Sequence, residues 1–181
     1  MSFTAKEKTL VDFLLHFYKN KIEMFSDIIN QKTPLSLRLI DWLVTNYSKK
    51  YNIIYQVTYK NNDLKHFNIY LDYKNQLKAY SKKFFDPFCR QKRIYINSIN
   101  FSWSEKPCEN SVVTTVGQLN FFKWFIQNDI IEYALKNVRL IDNDMNMTMS
   151  NKNKDHRTVL SPAAVKGIFT TRENITIKFK T

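Results

Sequence analysis

Across 181 residues this chain carries two glycines, Gly117 and Gly167. A dinucleotide-binding turn or a phosphate-cradling P-loop needs several glycines at one strand–helix junction, where the backbone must approach the phosphates closely. Nucleotide-cofactor enzymes of those two classes are therefore excluded. What remains is a chain of 21.7 kDa with 44% apolar and 15% aromatic residues, enough to build the core of one domain without disulfide or metal staples.

Periodicity then sorts the chain into elements. Residues 4–29 read as helix, with Leu10, Phe13, Leu14 and Phe17 at helical spacing and a break near Lys19, Asn20 and Lys21. Thr33 and Pro34 offer an N-cap and a first-turn proline for a second helix reaching about Tyr47. That helix leaves only Arg38, Asp41 and Thr45 as a polar stripe, so it is expected to be largely surrounded by protein. Residues 51–59 and 66–71, separated by the turn signal Asn61, Asn62 and Asp63, read as a hairpin. A helix over 73–83 must stop at Phe85, Asp86 and Pro87, because the residue before proline avoids the helical region. Residues 93–103 read as a third strand and 104–111 as a loop. Thr115 and Gln118 stand in capping-box spacing ahead of the longest apolar helix, with a break and recap at Asn128 and Asp129.

The expected architecture is a single α+β domain, a small antiparallel sheet flanked by helices. Its main body is 1–141. The polar stretch 142–158 reads as a mobile connector. Residues 159–181 read as a short helix, opened by Ser161 and Pro162, and a C-terminal strand packing on the main body.

Charge narrows the class of partner. The net charge is +12 with a pI near 9.6, and residues 49–103 hold 11 Lys/Arg against 3 Asp/Glu with aromatic rings threaded among them. Interleaved cations and π-faces suit phosphates and bases. Part of the lysine excess has another source: Lys outnumbers Arg 22 to 6, and Asn, Ile, Tyr and Phe are frequent, as in an A/T-rich genome. The densest segment contributes the candidate nucleic-acid-binding residues Lys74, Lys78, Tyr80, Lys82, Lys83, Arg90, Lys92 and Arg93, against the one acid Asp86. Lys74, Lys78 and Lys82, four apart, are expected to form one cationic ridge, and Arg90 and Arg93 to grip phosphate or base edges. Leu77, Phe84 and Phe88 are expected to be core, while Tyr73 and Tyr80 fit either core or stacking roles.

No catalytic or metal-binding motif competes with that reading. Cys89 and Cys108 lack the further soft ligands a structural zinc requires and are expected as free thiols; His16, His66 and His156 are scattered. Asp63, the strand after it, and Asp72, Tyr73 and Lys74 imitate the acid, strand, acid-x-lysine order of metal-dependent nucleases, a permissive pattern common by chance. The chain is therefore read as a non-enzymatic protein without cofactor or metal. With no run of 18 apolar residues it is expected to be soluble, away from membranes and intracellular.

Several strings together resemble a functionally uncharacterised small protein of nucleocytoplasmic large DNA viruses, the giant viruses of protists. They are 37–50 (LRLIDWLVTNYSKK), 70–83 (YLDYKNQLKAYSKK), 85–90 (FDPFCR), 114–124 (TTVGQLNFFKW) and 160–165 (LSPAAV). The resemblance implies a viral origin and supplies no catalytic or binding residues. The resulting expectation is a nucleic-acid-binding protein, DNA before RNA, acting in viral genome replication, transcription or packaging. Its place would be the cytoplasm or viral factory of the infected host, or the virion. The alternative is a virion structural or adaptor protein whose basic face meets a viral protein partner.

Overall fold

The computed structural model describes residues 3–58 and 64–158, with side chains to residue 151. Helix α1 (Ala5–Tyr18) opens with a complete capping box, in which the Thr4 hydroxyl accepts from the Glu7 amide at 3.3 Å and the Glu7 carboxylate accepts from the Thr4 amide at 2.9 Å. The chain breaks at Lys19 to Lys21 as its composition suggests and resumes as α2 (Ile22–Ile29). The next helix is capped by Ser36 rather than Thr33: α3 (Leu37–Trp42) widens into a π-helical turn over Leu43–Tyr47 and closes as α4 (Ser48–Lys50). Ser36 wins because its hydroxyl meets the Leu39 amide at 3.1 Å, whereas Thr33 bonds only the amide two residues on, in a turn.

Strands β1 (Ile54–Thr58) and β2 (Leu64–Asn68) pair antiparallel, with Tyr55 opposite Phe67 and Val57 opposite Lys65; the turn read at 61–63 lies outside the described residues. The second strand ends earlier than its composition suggests, because the Asn68 side chain accepts from the Leu71 amide at 2.9 Å and starts α5 (Ile69–Phe84). Residues 93–103 are not one strand. Asn97 caps a tight turn through the amides of Ile99 and Asn100, so β3 (Arg93–Asn97) folds back on the short β4 (Trp103–Ser104). The other edge of β3 pairs with β5 (Ser111–Thr115), where the expected loop would have ended. The α+β class holds, with the strands among the described residues in two small antiparallel sheets ordered β1-β2 and β4-β3-β5.

Helix α6 (Val116–Gln127) is the centre of the core, with Leu119, Phe121, Phe122 and Phe125 fully buried. It packs against α1, whose Tyr18 hydroxyl donates to the Leu119 carbonyl at 2.7 Å, and against α5. The break at Asn128 and Asp129 is real and leads to α7 (Ile130–Lys136). Where the sequence suggests a connector over 142–158, α8 (Val138–Thr158) is continuous helix. Its Asn, Asp and Lys residues carry only small helix penalties, and Asp144 and Met145 within it are buried. The chain divides after Asp142 into two units, and the α+β fold belongs to the first. The helix and strand expected within 159–181 lie outside the described residues.

Candidate nucleic-acid interface

The joint between α5 and α6 decides where the predicted cations go. Ser81 takes φ 57° and ψ 168°, a conformation that L-residues rarely adopt, and it breaks α5 three residues before its end. Beyond the break, α6 pins the chain from below. The Asn120 amide donates to the Phe84 carbonyl at 2.9 Å, the Gln118 amide to the Pro87 carbonyl at 2.9 Å, and the Gly117 carbonyl accepts from the Asp86 amide at 3.2 Å. Thr115 caps α6 as its spacing suggests, but Gln118 does not close the box: its carbonyl oxygen accepts from the Thr114 hydroxyl at 2.8 Å.

The single ridge of Lys74, Lys78 and Lys82 is consequently broken. Lys74 and Lys78 share one exposed face of α5, while the kink at Ser81 sends Lys82 elsewhere. Lys82 borders a small polar hollow of about 220 Å³ with Asp41, Thr45, Tyr73, Asp86 and Arg90. There Arg90 is occupied: its guanidinium forks onto the buried Asp86 carboxylate at 2.8 and 2.9 Å and lies 4.6 Å from the Phe88 ring centre. Burial raises the Asp41 carboxyl above its ordinary value, against the pull of Arg90. Burial, with Asp41 and Asp86 nearby, pushes the Tyr73 phenol to about 12. Arg90 thus holds the 85–90 turn together instead of standing free for a phosphate. Arg93 is exposed at the start of β3, near the half-buried Cys89; burial pushes that thiol up, with Arg93 opposing. Cys89 and Cys108 are both free thiols.

Four of the eight predicted residues do come together. Lys78, Tyr80 and Lys83 line one half-open hollow of about 520 Å³, shared with Lys6 and Leu10 of α1. Lys83 and Lys92 line a second of the same volume, shared with Phe3 and Val116. Thr4, Glu7, Lys83 and Phe84 border both, so the two hollows are one groove between the start of α1 and the end of α5. At its middle Lys83 Nζ meets Glu7 Oε1 at 3.0 Å and sits 4.8 Å from the Phe84 ring centre. The Thr4 amide and Lys83 hold the Glu7 carboxyl below its ordinary value. Lys92 lies 3.5 Å from the Phe3 ring centre and 3.5 Å from the Glu105 carboxylate. Lys6 and Lys78 are exposed and form no ion pair among the described residues. Tyr80 is 37% exposed and stacks on the buried Phe85 at 6.4 Å with an angle of 17°. Tyr73 resolves to core, packed on Phe85, Phe121 and Trp124. Phe84 and Phe88, expected as core, are half-buried, and Phe84 shows a face to the groove.

Sequence reasoning missed Phe3 and Lys6, because they lie some seventy residues away from the basic segment and join it only through tertiary contact. Of the nuclease-like pattern, Asp63 lies outside the described residues. Asp72 stands in the first turn of α5 rather than at a strand end, and its carboxylate accepts from the Trp124 indole at 2.6 Å and the Gln76 amide at 3.4 Å. Among the described residues there is no group of three His, Cys, Asp or Glu placed to hold a metal, and no helix long and apolar enough to cross a membrane.

Fold and groove together define a small α+β protein with a lysine-rimmed, ring-lined cleft. The chain belongs to a family of unknown function (DUF7197), whose model matches residues 1–174. It is 38% identical over 160 residues to the uncharacterized protein L507 of Acanthamoeba polyphaga mimivirus, a match covering 86% of this chain and 59% of that protein's length. The kinship read from its residues, to an uncharacterised giant-virus protein, therefore stands. No solved structure matches it.

Proposed function

We propose that this chain is a non-enzymatic nucleic-acid-binding protein of a large DNA virus, working in genome replication, transcription or packaging, in the host cytoplasm or viral factory or within the virion. The observation that carries the reading is the groove between α1 and α5. It places Lys6, Lys78, Lys83 and Lys92 around ring and aliphatic faces, and the single acid among the described residues lining it, Glu7, is already engaged by Lys83. Cations at a rim and π-faces within it are the two elements from which phosphate contact and base stacking are made. The engagement of Asp72 by Trp124 favours the non-enzymatic form of the reading over a magnesium-dependent nuclease.

The test is binding of fluorescein-labelled DNA and RNA followed by anisotropy across a sodium chloride series. Counterion release predicts that log K falls linearly with log salt, by about 0.9 per phosphate neutralised on duplex DNA and about 0.7 on single strands. Absence of binding to every nucleic acid at low salt overturns the reading and favours an adaptor that meets an acidic protein partner.

A further inference from the structure

The geometry points to an unpaired strand, rather than a duplex, as the occupant of the groove between α1 and α5; the inference rests on the nucleic-acid reading above and names the form of nucleic acid it takes. The walls decide this. Between the lysines the groove offers carbon: the half-buried ring of Phe84, the exposed side of Tyr80 and the aliphatic Leu10, above a floor in which Phe3 and Val116 are buried. A duplex keeps its base faces inside the helical stack and presents phosphates and groove edges, so these walls would gain nothing from it. An unpaired strand has free base faces to lay on Tyr80 and Phe84.

The lysines complete the fit, because they stand at the two ends and the middle of the groove. Lys6 and Lys78 flank one hollow, Lys92 borders the other, and Lys83 stands where they meet. Each hollow, at about 520 Å³, lies within the roughly 300–1,000 Å³ of sites that enclose small ligands, so adjacent nucleotides can occupy the two. Lys83 keeps Glu7 engaged and turns its remaining N–H donors to a phosphate at the junction, since an ammonium carries three.

The experiment compares a fluorescein-labelled oligothymidylate of about 12 nucleotides, within the site sizes of strand-binding grooves, with a blunt duplex of equal length. The full chain is used at matched salt. The expected result is binding to the strand at least about tenfold tighter than to the duplex. Changing Lys6→Ala and Lys78→Ala together should lower the strand's salt slope by up to roughly 1.4, two contacts at about 0.7 each. Tyr80→Ala should weaken strand binding roughly five- to hundredfold, and the lysine pair, being fully on the surface, keeps the test valid if Tyr80→Ala disturbs the fold. Lys82→Ala, which faces the separate polar hollow, should leave strand affinity unchanged. Duplex bound as tightly as strand, or a strand slope indifferent to Lys6 and Lys78, overturns the inference while the nucleic-acid reading survives. Binding to neither probe, nor to RNA of the same length, at low salt overturns both, and poly-glutamate binding in their place would assign the groove to an acidic protein segment.

Discussion

Asp41 lies on α3 and faces Thr45 of the π-helical turn, Tyr73 and Lys82 of α5, and the Asp86–Arg90 pair beyond it. Burial raises its carboxyl above the ordinary 3.8, and Asp86 adds to the rise while Arg90 and Lys82 oppose it. A carboxyl whose folded value is raised holds its proton more tightly in the native state. Its contribution therefore worsens as pH climbs from about 3.8 through the folded value, because there the folded protein binds more protons than the unfolded one. Glu7 has the opposite sign: its folded value is lowered from 4.5, so its stabilising contribution exists above that pH and is lost as pH falls. Glu7 acts below 4.5 and Asp41 above 3.8, with opposite signs where the two ranges meet, so only a difference between variant and parent isolates Asp41. Asp41→Asn should melt above the parent at neutral pH, with the gap closing as the buffer is taken below about pH 4. A gap that widens on acidification would show that Asp41 is held as a stabilising ion.

At the scale of elements, the groove depends on how closely α6 approaches the end of α5. A Cβ at Gly117 would lie 2.9 Å from the Lys83 carbonyl oxygen and 3.4 Å from the Phe85 amide nitrogen, both backbone atoms that cannot rotate away. Gly117 has an ordinary negative φ, so closeness of packing rather than turn geometry demands the glycine here. Gly117→Ala should cost about 1–3 kcal/mol by forcing the helices apart. In urea unfolding this appears as a lower midpoint at unchanged slope. It should also weaken strand binding, since Lys83 and Phe84 move with that joint. Nothing in local spacing announces this contact. Thr115 and Gln118 carry a helix-start signal, and the cap was legible; that Gln118 and Asn120 would turn their amides onto the Pro87 and Phe84 carbonyls was not. Strand β5 was legible in principle, since Val112, Val113, Thr114 and Thr115 are all β-branched. It was obscured by the loop signal of Pro107 and by the helix cap immediately after it.

For the molecule as a whole, an occupant of the groove binds the folded chain alone and must shift its unfolding equilibrium. A strand present at a hundred times its Kd should add about 2.7 kcal/mol. The melting temperature should rise with oligothymidylate concentration, and the rise should fade as salt is added. A melting temperature indifferent to the strand at low salt would contradict occupancy. The sequence by itself determined the helices α1, α2 and α6 and the body of α5, the breaks at Lys19 to Lys21 and at Asn128 and Asp129, the α+β class and the kinship with a giant-virus protein. All of these rest on neighbours within a few residues or on strings of residues read directly. It also picked out a basic segment, but not which of its cations are free. Only the tertiary structure decided that Ser81 breaks the lysine ridge, that Arg90 is bound to Asp86, and that Phe3 and Lys6 join Lys78, Tyr80, Lys83 and Lys92. The physical reason is range: helical spacing is set by local backbone geometry, whereas the groove's central Glu7–Lys83 contact joins residues 76 apart that meet only once α1 and α5 have packed on α6.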